Sequence, residues 1–181
     1  MKKIITFVLT VAFVIAVFSI SSFLKNIHYI NSNEFEQKTS EYGFFPSKND
    51  LVENCDLKGR IINKGILFKR TYYELFVSFD SEDDFLAQQQ IINKTYSYQD
   101  VNVKGVFGGL EDHVVCEKDG FKYRIADIDF ADIDSFWGYP KQFLLIGSSQ
   151  AKKKFVFAFI DDPDAGSVDD WNDYLKKELY I

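Results

Sequence analysis

The longest hydrophobic stretch of the chain lies close to its N-terminus, at residues 4–24. These twenty-one residues carry no charge, and Thr and Ser are their polar members. About twenty apolar residues form a helix long enough to cross the roughly 30 Å hydrocarbon core of a bilayer. Residues 1–25 are therefore predicted to form a transmembrane signal-anchor that contacts membrane lipid through residues 4–24. A cleaved signal peptide is the alternative, with Ser19-Ile20-Ser21 as a poor cleavage site.

Charged residues around this stretch indicate its orientation. Lys2 and Lys3 precede it and Lys25 follows it, whereas every Asp and Glu lies beyond it. Cytoplasmic flanks carry the excess of Lys and Arg, so the N-terminus is predicted to stay in the cytoplasm. The predicted location is the cell membrane, crossed once, with the C-terminal domain outside, in the periplasm or at the cell surface.

Alternation of apolar and polar residues predicts strands further along the chain. In residues 71–80, every second side chain from Tyr73 to Phe79 is apolar, a period typical of a strand with a buried face. Residues 155–160, FVFAFI, are apolar throughout. They suit a central strand that is covered on both faces, or on one face by the last helix.

Turn residues predict two hairpins. The Lys-Asp-Gly sequence at 118–120 contains the Asp-Gly pair that favours a tight hairpin turn. It separates the predicted strands 113–117 and 121–128. A second hairpin is predicted from strands 143–147 and 154–161.

Helix-start signals occur three times. Ser47, with Asp50 three residues later, predicts a short helix that Gly59 ends. Ser81 precedes three acidic residues and predicts a second helix over FLAQQQIINK. Ser167 predicts a third helix, whose apolar stripe would pack on the sheet. That stripe consists of Val168, Trp171, Leu175 and Leu179.

These elements together predict an α+β fold. It comprises an N-terminal transmembrane helix followed by one domain with a mainly antiparallel sheet of 4–5 strands and 2–3 packed helices. The predicted organisation is a signal-anchor at 1–25, a juxtamembrane linker at 26–46 and an extracytoplasmic α+β domain at 47–181.

Net charge argues against nucleic acid as a partner. The chain has a formal net charge of −6, and beyond residue 25 it has 18 basic against 27 acidic residues. A domain that is this acidic repels phosphate backbones. It suits a basic partner better.

Two cysteines, Cys55 and Cys116, both lie beyond the predicted anchor. An oxidising compartment would permit a disulfide between them, and two independently buried thiols are the alternative. The sequence contains no C-x-x-C motif, so it indicates neither a thioredoxin-like redox site nor a paired-cysteine metal site.

Two acidic stretches contain the oxygen ligands that calcium prefers. The first holds Asp127, Asp129, Asp132 and Asp134, and the second spans residues 161–170. Neither has the residue order of a calcium loop. Solvated carboxylates at a strand edge and at a helix start explain both stretches, so neither a metal nor a cofactor is expected.

Histidine is too scarce to indicate a catalytic site. His28 borders the predicted anchor, and His113 is the one histidine of the predicted domain. On a strand, His113 and Cys116 would point to opposite faces, and the chain lacks a G-x-S-x-G motif. A non-catalytic role is favoured over an enzyme.

Aromatic residues between two predicted strands form the candidate binding site. Phe136, Trp137 and Tyr139 lie in a segment that also contains Gly138 and Pro140. Rigid aromatic side chains on a strand connection are typical of recognition surfaces. The alternative is that Trp137 covers the core.

The sequence as a whole favours a single-pass, membrane-anchored extracytoplasmic binding module without catalysis. Its expected partner is another protein, in a toxin-neutralising or envelope-accessory role. One alternative is a structural or accessory subunit of a membrane complex that uses the anchor helix, and another is a small exported hydrolase.

Overall fold

Seven strands form one antiparallel sheet in the computed structural model. The strands are β1 (Lys25–Ile30), β2 (Cys55–Lys64), β3 (Arg70–Phe79), β4 (Cys116–Lys118), β5 (Phe121–Ile125), β6 (Gln142–Ser149) and β7 (Lys154–Asp161). Their order across the sheet is β1-β2-β3-β7-β6-β5-β4. A helix, α1 (Glu82–Thr95), and a 3-10 turn, Lys48–Asp50, accompany them. The structure describes residues 6–7, 9–16, 25–31, 34, 37, 45–64, 70–98, 116–128 and 142–161.

The fold therefore differs from the prediction of a transmembrane helix with 4–5 strands and 2–3 packed helices. The sheet is larger because two segments that were not predicted as strands belong to it. Residues 25–30, at the boundary between predicted anchor and linker, form β1. Residues 55–64, where the first helix was predicted to end, form β2.

The helix predicted after Ser47 is reduced to a single turn. The Ser47 N–H donates to the Asp50 carboxylate at 3.0 Å, as the predicted capping pair requires. From Cys55 onward the chain instead pairs with β3 in a ten-residue register, Cys55 opposite Phe79 to Lys64 opposite Arg70. A ladder of this length outweighs the weak helical propensity of a few residues.

The N-terminal hydrophobic stretch is helical at residues 6–7 and 9–16. The apolar side chains of these described residues are exposed, with Phe7 and Phe13 each 70% accessible. Within the described ranges, no helix has the length and hydropathy needed to cross a membrane. The predicted transmembrane helix, which needs about twenty helical residues, is therefore not found in the described part of the chain. The location derived from it stays a prediction.

One face of the sheet packs against α1 to form the main core. Phe85 of α1 stacks on Phe155 of β7, with ring centroids 4.7 Å apart and planes inclined by 13°. Leu75 and Val77 of β3 are fully buried on the same face, which confirms the predicted alternation. Burial of each such side chain stabilises the fold by about 1.5–3 kcal/mol.

The central strand β7 is buried on both faces. Phe155, Phe157 and Phe159 point toward α1, and the alternate residues Val156 and Ile160 are equally buried on the second face. Three strands lie on each side of β7 in the sheet. The prediction of a central strand covered on both faces is confirmed.

Both predicted hairpins are present. Lys118 pairs with Phe121, leaving Asp119 and Gly120 as a two-residue turn with φ angles of 53° and 78°. Positive φ at both positions is the geometry that Asp-Gly favours. In the second hairpin, Ser149 pairs with Lys154.

Helix α1 begins where the sequence predicts and is tied to the chain before β2. The Ser81 hydroxyl accepts from the Asp84 N–H at 3.0 Å, as an N-cap does. Gln88 is fully buried. Its amide accepts from the Val52 N–H at 2.8 Å and donates to the Asp50 carbonyl at 2.9 Å. The helix predicted from Ser167 lies outside the described residues.

Candidate functional site

The predicted binding residues Phe136, Trp137 and Tyr139 lie outside the described residues. They belong to the connection between β5 and β6. Their proposed role stays a prediction from sequence.

The predicted disulfide between Cys55 and Cys116 is not formed, because Cys55 is a free thiol. Cys55 lies in β2, and Cys116 lies in β4 at the far end of the sheet. Five strand spacings of about 4.8 Å separate these strands, roughly 24 Å. A disulfide joins Cα atoms that are at most about 7 Å apart.

The chemistry of the described residues offers little for a covalent mechanism. Burial and the nearby Asp56 charge raise the pKa of the Cys55 thiol, which disfavours the reactive thiolate. His28 is exposed, and its Nε2 lies 3.4 Å from the Glu34 carboxylate. Within the described ranges, no cluster of three His, Cys, Asp or Glu residues is arranged to hold a metal ion.

The feature with clear binding potential is the outer edge of β1. This strand is the last of the sheet, and in the described part of the chain no strand lies beyond it. An edge strand presents unpaired N–H and C=O groups that another chain can join. Bulges, proline or charged residues commonly protect such edges, and the sequence KNIHYI has no proline and one charged residue, Lys25 at its start.

The register shows which backbone groups of β1 point outward. Opposite residues in an antiparallel pair alternate between hydrogen-bonded and non-hydrogen-bonded pairs. The Phe79 N–H donates to the Lys153 carbonyl at 3.0 Å. The backbone groups of the odd-numbered residues of β3 therefore form hydrogen bonds toward β7. Even-numbered residues of β3 therefore bond toward β2.

The same alternation continues from β2 to β1. Arg60 of β2 pairs with Glu74 of β3, so the backbone N–H and C=O groups of Arg60 point toward β3. Those of its neighbour Gly59 therefore point toward β1. Gly59 pairs with Ile30, and Arg60 pairs with Tyr29. The backbone groups of Ile30 and His28 are thus used within the sheet, whereas those of Ile27 and Tyr29 point outward.

Side chains beside this edge add apolar contact area. Tyr29 is 71% and Ile27 37% exposed. Both share the second face of the sheet with Arg60, the partner of Tyr29 in the register. Sequence reasoning missed this site, although the apolar residues Ile27 and Tyr29 alternate with Asn26 and His28, a short period-two signal.

A groove of about 340 Å³ opens on the second face next to the end of β1. It arises at a step in the sheet. β1 ends at Ile30, opposite Gly59, while β2 extends four residues further to Cys55. The residues that line it include Tyr29, Lys58, Arg60, Phe76, Ser78 and Lys154.

Arg60 is held at the wall of the groove by two contacts. Its Nε donates to the Glu74 carboxylate, and its guanidinium lies over the Phe76 ring at 5.1 Å from the centroid. The side chain of Glu74 is 2% exposed and that of Arg60 is 20% exposed. The Nη2 atom of Arg60 is buried and has no hydrogen-bond acceptor among the described residues.

The lysines of the groove are more loosely held. Lys58 Nζ lies 2.9 Å from the Asp56 carboxylate, but both side chains are largely exposed, and such surface pairs contribute little. Lys154 is exposed. In the described part of the chain, no acidic side chain forms an ion pair with it.

Together these features define an antiparallel sheet protein with an open, aromatic-lined edge and a cationic groove beside it. Comparison with known proteins gives it no relative: no family model, no curated protein and no solved structure matches the chain.

Proposed function

We propose that this chain is a non-catalytic protein-binding module that adds an extended segment of a partner protein to its sheet beside β1. The observation that carries the proposal is the outward alignment of the backbone groups of Ile27 and Tyr29 at an edge that no described strand pairs with. In strand addition, such main-chain groups supply affinity and neighbouring side-chain pockets supply specificity. A toxin-neutralising or envelope-accessory role and a location outside the cytoplasm stay predictions from the sequence.

A matched pair of substitutions at Ile27 tests the proposal. Ile27→Pro removes an outward N–H and leaves the pairing of β1 with β2 intact, since edge strands accept proline on their free side. Ile27→Ala shortens the same side chain and keeps the N–H. A display library of ten-residue peptides that alternate apolar and polar residues serves as the probe.

We expect the full wild-type chain to select peptides from this library. Binding, measured by fluorescence anisotropy, should fall about tenfold or more in Ile27→Pro and less than about threefold in Ile27→Ala, because proline removes a backbone donor and its ring blocks the approach. Tyr29→Pro, which removes the other outward donor, is the second variant if Ile27→Pro unfolds. Failure to select any peptide, or equal binding by the two Ile27 variants, would overturn the proposal.

A further inference from the structure

We infer that the segment bound beside β1 is acidic and that Lys58 and Lys154 recognise its carboxylates. This inference rests on the proposed function and specifies its partner. It reverses the expectation of a basic partner, which follows from the negative net charge of the whole chain.

The local charge of the groove differs from that of the chain. Three cationic side chains, those of Lys58, Arg60 and Lys154, line it. Arg60 is already neutralised by buried Glu74. The two lysines are exposed, and Lys58 can exchange its weak surface pair with Asp56 for a carboxylate of the partner at little cost.

The step in the sheet gives a partner access to these lysines. A partner segment that pairs with β1 can extend past Ile30, the last residue of β1. From there, none of the described strands separates it from Lys58, which lies one residue before Gly59 in β2, outside the β1 register. Phe76 and Tyr29 flank the same groove and would cover the apolar part of the segment.

A second copy of this chain fits the groove less well. The strand available for self-pairing, KNIHYI, contains one lysine, one histidine and no carboxylate. Two such strands side by side would supply no anion to Lys58 or Lys154. Charge complementarity therefore favours an acidic segment from a different protein.

Three versions of one peptide test the inference. The peptide that binds most tightly in the library experiment is synthesised with its polar positions set to Glu, to Gln or to Lys. Binding to the full chain is measured by fluorescence anisotropy in about 0.05 M and 0.5 M salt. The double variant Lys58→Gln/Lys154→Gln removes the proposed contacts.

Lys94→Gln is the matched control for charge. Lys94 is exposed in the last turn of α1, and α1 packs on the face opposite the groove. The single variants Lys58→Gln and Lys154→Gln each change net charge by the same amount as the control. A difference in peptide affinity between these variants and Lys94→Gln therefore depends on the position of the lysine and not on net charge.

We expect the Glu peptide to bind about three- to tenfold more tightly than the Gln peptide at low salt, as for two exposed ion pairs. High salt should reduce the difference, the double variant should abolish it, and Lys94→Gln should keep it. Equal binding by the Glu and Gln peptides, or tightest binding by the Lys peptide, would overturn the inference while strand addition stands. A wild-type dimer in sedimentation that Ile27→Pro dissociates would identify a second copy as the occupant and would also overturn it.

Discussion

The contact between Arg60 and Glu74 joins a buried ion pair to the wall of the candidate groove. The two residues face each other across β2 and β3. Glu74 is almost fully buried, and Arg60 reaches from it to the wall of the groove. An ion pair in this position contributes little net stability, because desolvation offsets much of the Coulomb attraction. Removal of only one of the two residues lowers stability strongly, because the charge of the other is then left without its partner.

Substitution of Glu74 by Leu should therefore destabilise the fold strongly. We expect a loss of about 3–5 kcal/mol in the free energy of unfolding, measured by urea denaturation. The double variant Arg60→Met/Glu74→Leu should recover most of this loss, because it removes both charges. Glu117→Gln, at an exposed position of β4, is the control and should change stability by less than about 0.5 kcal/mol. A double variant that is less stable than Glu74→Leu would contradict this account.

At the scale of elements, helix α1 holds the segment before β2 through a single buried amide. Gln88 bonds both to the Val52 N–H and to the Asp50 carbonyl. Asp50 ends the 3-10 turn, and Val52 lies between that turn and β2. The amide thereby satisfies two backbone groups for which this part of the chain forms no sheet ladder.

Removal of the Gln88 side-chain amide should lower the stability of the fold more than the loss of so small a group suggests. We expect Gln88→Ala to lower the free energy of unfolding by about 1–3 kcal/mol, because buried backbone groups are left without a partner. Gln90→Ala changes an exposed glutamine of the same helix and should be nearly neutral, since alanine is a good helix former. Thermal unfolding of the two variants side by side measures the difference. Equal melting temperatures would show that water replaces the Gln88 amide without cost.

At the scale of the whole molecule, strand order decides which residues can meet. Cys55 and Cys116 are close to opposite ends of the sheet, separated by β3, β7, β6 and β5. The order also places β1, the first of the described strands, at an edge, where no other described strand pairs with its outer backbone groups. The same strand order therefore separates Cys55 from Cys116 and places β1 at an edge of the sheet.

Reducing agent should leave the stability of the chain unchanged. A disulfide that closes a loop of about sixty residues would stabilise the fold by roughly 4 kcal/mol, and its reduction would lower the melting temperature by several degrees. We expect equal melting temperatures with and without dithiothreitol in the purified full chain. Cys55→Ser serves as the control and should give the same result. A lower melting temperature in reductant for the wild type alone would show that Cys55 is bridged.

Local signals in the sequence determined much of the sheet. The Asp119-Gly120 turn requires two positive φ angles that these residues tolerate, and it fixed one hairpin. The alternation in β3 and the doubly apolar run in β7 each reflect burial on defined faces. Ser81 marked the start of α1, because its hydroxyl caps a nearby N–H whatever the rest of the fold does.

Tertiary structure alone decided β1, β2 and the binding edge. Ser47 and Asp50 form the capping contact that their spacing predicts, yet the chain beyond them joins β3 instead of extending a helix. β1 pairs with residues about thirty positions later, Ile30 with Gly59, and such pairing is not encoded in a short window. Hydropathy likewise showed that residues 4–24 favour leaving water, whereas the described residues contain no helix of membrane-spanning length. Which face and which edge stay open depends on the order of all seven strands, and that order is set by contacts distant in sequence.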